Sequence, residues 1–103
     1  MYMNVFRSRK RADIDADAYA EDAARMEALA REQQGFLAYR SYKAEDGETV
    51  SMSEWESEEH ARAWARNLDH AAVQRKGRGD YYQSYTVYSC DEPRVTRFDR
   101  SAT

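Results

Sequence analysis

The stretch FLAYRSYKAEDGETVSMSEW, residues 36 to 55, predicts two β-strands joined by a tight turn. Aromatic or aliphatic residues alternate with polar ones from 36 to 43, which is the period of a half-buried strand. Asp46 and Gly47 form a dipeptide that favours positive φ values and therefore a hairpin. Residues 49 to 55 follow as the partner strand, so the middle of the chain is predicted to be an antiparallel hairpin.

The segment before this hairpin predicts a strand and then a helix. Residues 2 to 9 suit an extended strand whose two faces are both mixed in polarity. Asp13 and Asp15 are candidate N-caps of a helix that continues to about Gln33, and Gly35 ends it in a left-handed conformation. Because the apolar stripe of this helix is narrow and rich in alanine, a flat group can lie close to it. The stripe consists of Tyr19, Ala23, Met26 and Ala30.

The segment after the hairpin predicts a second helix and a last strand. Ser57 can cap the helix, and Ala61, Trp64 and Leu68 form its buried stripe. Asp69 can begin a further short helix after a bend. The stretch YYQSYTVYSC, residues 81 to 90, is rich in aromatic and β-branched residues and predicts a strand.

The order β-α-β-β-α-(α)-β matches the α+β, ferredoxin-like split βαβ sandwich, a four-stranded antiparallel sheet with its helices on one face. We predict a single domain over residues 1–93. Residues 94–103 form a C-terminal tail with a possible short edge strand through Val95 and Phe98. The other face of such a sheet would be uncovered and partly apolar, which favours a homodimer with the two sheets packed together.

Length and composition exclude several classes of protein. The 103 residues fit one compact domain, and thirteen aromatic residues are more than a disordered chain usually carries. No apolar run approaches the roughly 18 residues of a membrane span, and the start MYMNVFRSRK has no signal-peptide core, so we predict a cytoplasmic protein. The net charge of −3 disfavours nucleic-acid binding. Cys90 is the only cysteine, which excludes an internal disulfide and a zinc site of the CxxC type.

Four parts of the chain together resemble the antibiotic biosynthesis monooxygenase (ABM) family. They are NVFRSR, ARMEALAREQQGF, the block SEWESEEHARAWARNLDHAAVQRKGRGDYYQSYTV and the tyrosine-rich last strand, and the resemblance covers roughly residues 2 to 90. It implies a dimeric α+β barrel with a pocket between sheet and helices. Characterised members include oxygenases that use neither metal nor flavin and turn phenols or quinols of aromatic polyketides into quinones. Another branch binds and opens haem.

The resemblance implies a cofactor-independent monooxygenase that acts on a phenolic, quinol or polyketide-like small aromatic molecule. The alternative is a noncatalytic, small-molecule-binding or stress-related dimer of the same fold. Haem degradation is less favoured. The chain resembles the haem branch at Trp64, but the axial histidine position is Gln74, and a neutral amide is a poor haem ligand. The strand-one asparagine of that branch would fall near Arg7 or Ser8.

Trp64 and His70 are the predicted catalytic residues. Trp64 offers a donor-only indole and a flat apolar surface for a polycyclic phenolate, or it is simply a core anchor. His70 can act as a general base near neutral pH, or it is a partly exposed residue in the first turn of a short helix. The two residues flank the predicted bend at Asn67-Leu68-Asp69, so they meet only if the bend directs both inward.

The predicted substrate-binding residues are Asn4, Phe6, Arg7, Gln74 and Tyr82. An arginine inside a strand, such as Arg7, either extends to the edge or awaits an anion. On the last strand, alternation groups Tyr82 with Thr86 and Tyr88, and groups Tyr81 with Tyr85 and Val87. The sequence leaves open which set lines the pocket. We interpret Trp55 as a core residue and His60 as solvated.

Overall fold

The computed structural model describes residues 1–67 and 81–102. The elements in chain order are β1 (Tyr2–Lys10), α1 (Ala16–Arg31), β2 (Phe36–Lys43), β3 (Thr49–Trp55), α2 (Glu58–Ala65), β4 (Tyr82–Asp91) and a 3-10 turn (Arg100–Ala102). The predicted order of strands and helices is confirmed. The further short helix expected after Asp69 lies outside the described residues.

The four strands form one antiparallel sheet in the order β2-β3-β1-β4. This order places β1 and β3, the first strands of the two βαβ units, side by side in the centre of the sheet, as the ferredoxin-like fold requires. In β1, Asn4 pairs with Ser53 of β3 and with Ser89 of β4. Alternate residues of every strand therefore face the same side, and the helices cover one of the two sides.

Side-chain caps fix where the two helices begin. Asp15 accepts a hydrogen bond from the backbone N–H of Ala18 at 3.0 Å, which selects Asp15 over Asp13 as the N-cap of α1. Ser57 does the same for α2 through the N–H of His60 at 3.2 Å. The prediction that His60 is solvated is wrong, because its ring is half-buried and its Nδ1 lies 2.7 Å from Ser57 Oγ.

The core lies where the end of β3 meets both helices. Trp55 is fully buried and Trp64 is 8% exposed, and their rings stack with centroids 6.1 Å apart and planes inclined by 25°. The small residues Ala30 of α1 and Ala61 of α2 complete the buried cluster. Since alanine allows the helices to approach the indoles closely, two large aromatic rings fill the space that several aliphatic residues occupy in other cores.

A β-bulge changes the face on which Tyr82 lies. Arg9 pairs with Ser84, whereas Lys10 pairs with Tyr82, so one extra residue stands in β4 at this point. The extra residue turns Tyr82 to the helix side, away from the face of Thr86 and Tyr88. The predicted grouping of these three residues on one face is therefore wrong.

The chain after β4 leaves the sheet. Glu92 has a φ of 49°, a left-handed value that breaks the strand, and residues 93–99 form neither helix nor strand. The possible edge strand through Val95 and Phe98 is thus absent, and Phe98 is 77% exposed. Among the helices that the structure describes, none is long and apolar enough to cross a membrane.

Candidate functional site

A cavity of about 340 Å³ lies between the sheet and the two helices. Its floor is built from alternate residues of the central strands, which point to the helix side. The floor residues are Asn4 and Phe6 of β1 and Ser51, Ser53 and Trp55 of β3. All four residues of the predicted alanine-rich stripe on α1 line the cavity, and Trp64 of α2 closes one end. The narrow stripe therefore leaves room for a ligand.

The indole end of the cavity is apolar and closely packed. Trp55 and Trp64 serve both as core residues and as cavity wall, so Trp64 is a core anchor, and its catalytic role stays a prediction. Phe36 packs edge-on against Trp55 with the ring centroids 5.6 Å apart. Trp55 Nε1 is buried and has no hydrogen-bond partner, which leaves an unsatisfied donor at this end of the described fold.

Aromatic rings from three elements line the opposite end. Phe6 of β1 contacts Tyr82 edge-on and lies against Tyr85, each with ring centroids 5.4 Å apart. Tyr19 of α1 packs edge-on against Tyr81 at 5.2 Å. Tyr85 is 42% exposed although it lines the cavity, so the cavity opens to solvent along β4.

The phenol groups of Tyr82 and Tyr19 at this end remain protonated at neutral pH because the pKa of each is raised. Burial raises the pKa of Tyr82 far above its usual value, and the neighbouring Tyr19 raises it further. Burial also raises the pKa of Tyr19. Neutral phenols are hydrogen-bond donors, so they can hold an oxygen anion but cannot accept a proton from a substrate.

A short polar row crosses the aromatic lining. Asn4 Oδ1 accepts a hydrogen bond from Ser89 Oγ at 2.7 Å, which leaves the Asn4 amide nitrogen available as a donor. Ser51 Oγ lies 3.2 Å from Ser41 Oγ. Glu27 of α1 is the only carboxylate among the described residues that line the cavity, and it pairs with Arg31 at 3.4 Å.

The structure brings together four of the seven predicted site residues. Trp64, Asn4, Phe6 and Tyr82 all line the cavity. Arg7 does not, because it lies on the other face of the sheet. There it pairs with Glu48 at 3.1 Å, and its Nη1 donates to the Tyr88 hydroxyl at 3.3 Å. His70 and Gln74 lie outside the described residues.

Several lining residues were not predicted as site residues from the sequence. Tyr39 and the serines of β3 lie on the helix side because of the pairing register, which no single strand reveals. Glu27 is adjacent in sequence to Met26 of the predicted stripe, and an acid beside an alanine-rich stripe was the available signal. Within residues 1–67 and 81–102, no group of three or more histidine, cysteine or acidic side chains is arranged to hold a metal ion.

Comparison with known proteins places this fold and cavity in a family. Residues 1–76 match the family described as antibiotic biosynthesis monooxygenase. The protein YqjZ of Bacillus subtilis is 35% identical over 99 residues, which are 96% of this chain and 81% of that protein. A solved structure from Deinococcus radiodurans superimposes with a TM-score of 0.81 at 9% identity, covering 96% of this chain and 99% of that one. SnoaB, a cofactor-independent oxygenase from Streptomyces nogalater, gives a TM-score of 0.76 at 14% identity, with 91% and 94% covered.

Proposed function

Because the chain belongs to the antibiotic biosynthesis monooxygenase family, we propose that it is a cofactor-independent monooxygenase that oxidises a phenolic or quinol-like aromatic molecule. The observation that carries this proposal is the cavity of about 340 Å³ walled by indole and phenol rings and crossed by a short polar row. This volume lies within the range that is usual for small-molecule binding sites. A mostly apolar wall with a few polar groups is also typical of such sites. SnoaB, which shares the fold, supports the absence of a cofactor.

The proposed reaction uses the substrate as the source of electrons. Removal of a proton from an anthrone-like compound gives an electron-rich anion that transfers an electron to O₂. Combination of the two radicals gives a hydroperoxide, and loss of water leaves a carbonyl group. Overall, a CH₂ group and O₂ become a C=O group and H₂O, so one oxygen atom enters the product. The protein has to bind the aromatic rings, take the proton and stabilise the anion.

The cavity residues suit the first and third of these tasks. The Trp64 ring offers a flat surface for stacking, and Phe6 offers an apolar contact from the floor of the cavity. Asn4 and the protonated Tyr82 can donate hydrogen bonds to an oxygen anion. Gln74, from outside the described residues, remains a proposed substrate-binding residue.

The proton acceptor is assigned by comparing two residues. His70 is the base predicted from the sequence, and Glu27 is the carboxylate that the described cavity contains. A general base contributes roughly 10²- to 10⁴-fold to a rate. We therefore expect His70→Ala to lower kcat at least about 100-fold if His70 is the base, with Glu27→Gln near the wild-type rate. The reverse pattern assigns the role to Glu27.

Oxygen uptake with anthrones and hydroquinones tests the proposed function. The wild type should consume one O₂ per quinone formed, and ¹⁸O₂ should place one labelled atom in the product from an anthrone. Trp64→Phe should lower kcat/KM by up to about tenfold, since the smaller phenyl ring loses part of a stacking interaction worth up to about 1.4 kcal/mol and also the indole N–H. Phe98→Leu, in the exposed tail, is the control and should match the wild type.

Two outcomes of this experiment contradict the proposal in different ways. Uptake that stays at the background rate while the aromatic compounds still bind indicates a noncatalytic binding protein. Uptake that is unchanged in Trp64→Phe and in both base variants shows that the oxidation takes place outside the cavity.

A further inference from the structure

Lys10 brings a positive charge to the rim of the cavity. It is the last residue of β1, half-buried, and its Nζ donates to Thr49 Oγ1 of β3 at 3.0 Å. The same Nζ lies 4.6 Å from the ring centroid of Tyr19 on α1. The ammonium group is thus held in one position between the sheet and the first helix by two neutral partners.

Lys10 has no ion-pair partner among the described residues. No carboxylate oxygen of the described residues lies within 4.0 Å of Lys10 Nζ. Burial lowers the pKa of Lys10, and the positive charge of Lys43 on β2 lowers it further. By contrast, Arg7 and Arg9 on the same strand each pair with an acid of the β2-β3 turn. A half-buried cation without a counterion costs stability, so its position calls for another role.

The surroundings of Lys10 are continuous with the cavity. Lys10 and Thr49 line a groove that shares five residues with the main cavity. The shared residues are Tyr19, Ala23, Glu27, Tyr39 and Ser51. Ser51 stands two residues from Thr49 on the same face of β3, a separation of about 7 Å along a strand. A group bound at Lys10 is therefore one or two aromatic rings away from the cavity floor.

We propose that Lys10 and Thr49 form an anion subsite that binds a carboxylate carried by the aromatic ligand of the cavity. This inference rests on the proposed function for the position of the rings and adds the chemical class of the substrate, a fused-ring aromatic acid. With the carboxylate at Lys10 Nζ, a two- or three-ring system extends over Ser51 and Phe6 toward the indoles. Glu27 of α1 lines the same groove and disfavours an acid placed beside it. Lys10 acts as a specificity-determining residue and takes no part in the oxidation.

Binding of a matched pair of ligands tests this subsite without any turnover. Anthracene-2-carboxylate and anthracene-2-carboxamide have the same rings and differ in charge, and their own fluorescence reports binding at pH 7. The wild type should bind the carboxylate about fivefold more tightly than the carboxamide, which corresponds to about 1 kcal/mol for one partly exposed charge pair. Lys10→Met should reduce this ratio to about one, with the carboxamide affinity unchanged within about twofold.

Two further variants separate the effect of position from the effect of net charge. Lys10→Arg keeps the charge at the rim and should keep the preference for the carboxylate. Arg40→Met also removes one positive charge, but Arg40 is exposed and pairs with Met52 on the strand face opposite to the cavity, so the preference should persist. A variant that still binds the carboxamide is folded. If Lys10→Met does not fold, Lys10→Gln replaces it and is tested in the same way.

The outcomes distinguish this inference from the proposed function. Equal binding of both ligands by the wild type, or an unchanged preference in Lys10→Met, overturns the anion subsite while the aromatic cavity stands. A carboxylate preference that depends on Lys10, in a protein without oxygen uptake, supports the subsite and overturns the oxygenase. Failure of the wild type to bind either ligand overturns both.

Discussion

Two glycines have positive φ values but very different surroundings. At Gly35, with φ +83°, an added Cβ would overlap the His60 ring, whereas at Gly47, with φ +92°, an added Cβ would have no atom of the described residues within 4 Å. We expect Gly35→Ala to lower the free energy of unfolding by about 2–4 kcal/mol, the sum of backbone strain and overpacking. Gly47→Ala should cost only the strain, about 1 kcal/mol. Urea denaturation of both variants measures the difference, and equal losses would contradict the close contact with His60.

Gly35 also shows how much of the structure can be predicted from a single residue of the sequence. Gly35 was predictable as the end of α1, because only a residue without Cβ favours a left-handed cap. Its contact with His60 was not, because the two are brought together only when α2 packs across the end of the sheet. The family resemblance and strand alternation were enough to predict three of the residues that line the cavity, which are Trp64, Asn4 and Phe6. The position of Lys10 at the cavity could not be predicted from the sequence, since its burial depends on the register that brings it next to Thr49.

At the scale of elements, the turn between β2 and β3 is held to β1 by charge. Arg9 Nη2 lies 2.7 Å from Asp46 Oδ2, and Asp46 Oδ1 accepts from the backbone N–H of Glu48 at 3.1 Å. The hydrogen bond from Arg9 is the main cause that lowers the pKa of Asp46, and the bond from Glu48 adds to it. A carboxyl group whose pKa is lower in the folded state stabilises the fold above its unfolded pKa of about 3.9. This stabilisation is lost as the pH falls through the folded pKa.

Asp46→Asn tests this linkage. The amide keeps the shape and can still accept from Glu48, but it loses the ionic bond to Arg9, so the variant should melt below the wild type at pH 7. Below the folded pKa of Asp46 both proteins carry a neutral group at this position, so the difference in Tm should shrink as the pH is lowered from 7 toward 2. Glu45→Gln is the matched control in the same turn, because Glu45 forms no ion pair in the described part of the chain. A difference that is the same at both pH values would contradict the role of the carboxylate.

The bulge in β4 shows where element-level prediction fails. Alternation along YYQSYTVYSC correctly predicts that Tyr85 and Val87 lie on the same face, and both line the cavity. It fails at Tyr82, because one extra residue shifts the pairing between Arg9 and Lys10. A bulge depends on the partner strand as much as on its own sequence, so a period of two cannot reveal it. The strands and helices themselves were predictable because caps, turn residues and alternation all agreed.

At the scale of the whole molecule, the sheet has one face that neither α1 nor α2, the two described α-helices, covers. The residues that alternate with the cavity floor point to this face, and they include Met3, Val5, Val50 and Met52, with the exposed Tyr42 and Tyr88. The Arg7 and Glu48 pair crosses the same face, where its charges are mutually satisfied. Aliphatic and aromatic side chains on a four-stranded sheet, with Arg7 and Glu48 already paired with each other, are suited to burial against a second copy of the chain.

We expect sedimentation equilibrium to give a dimer at micromolar concentration. Val5→Glu places an unpaired carboxylate at the centre of the uncovered face, next to Met52 in the register, and should shift the protein to monomers. Ala63→Glu adds the same charge on the exposed side of α2 and should leave the dimer intact. Because the cavity lies on the opposite side of the sheet, monomers of Val5→Glu should still bind anthracene-2-carboxylate, although less stably folded. If the wild type remains monomeric at 100-fold higher concentration, the apolar side chains of this face stay exposed to solvent. That result would contradict the proposed dimer interface.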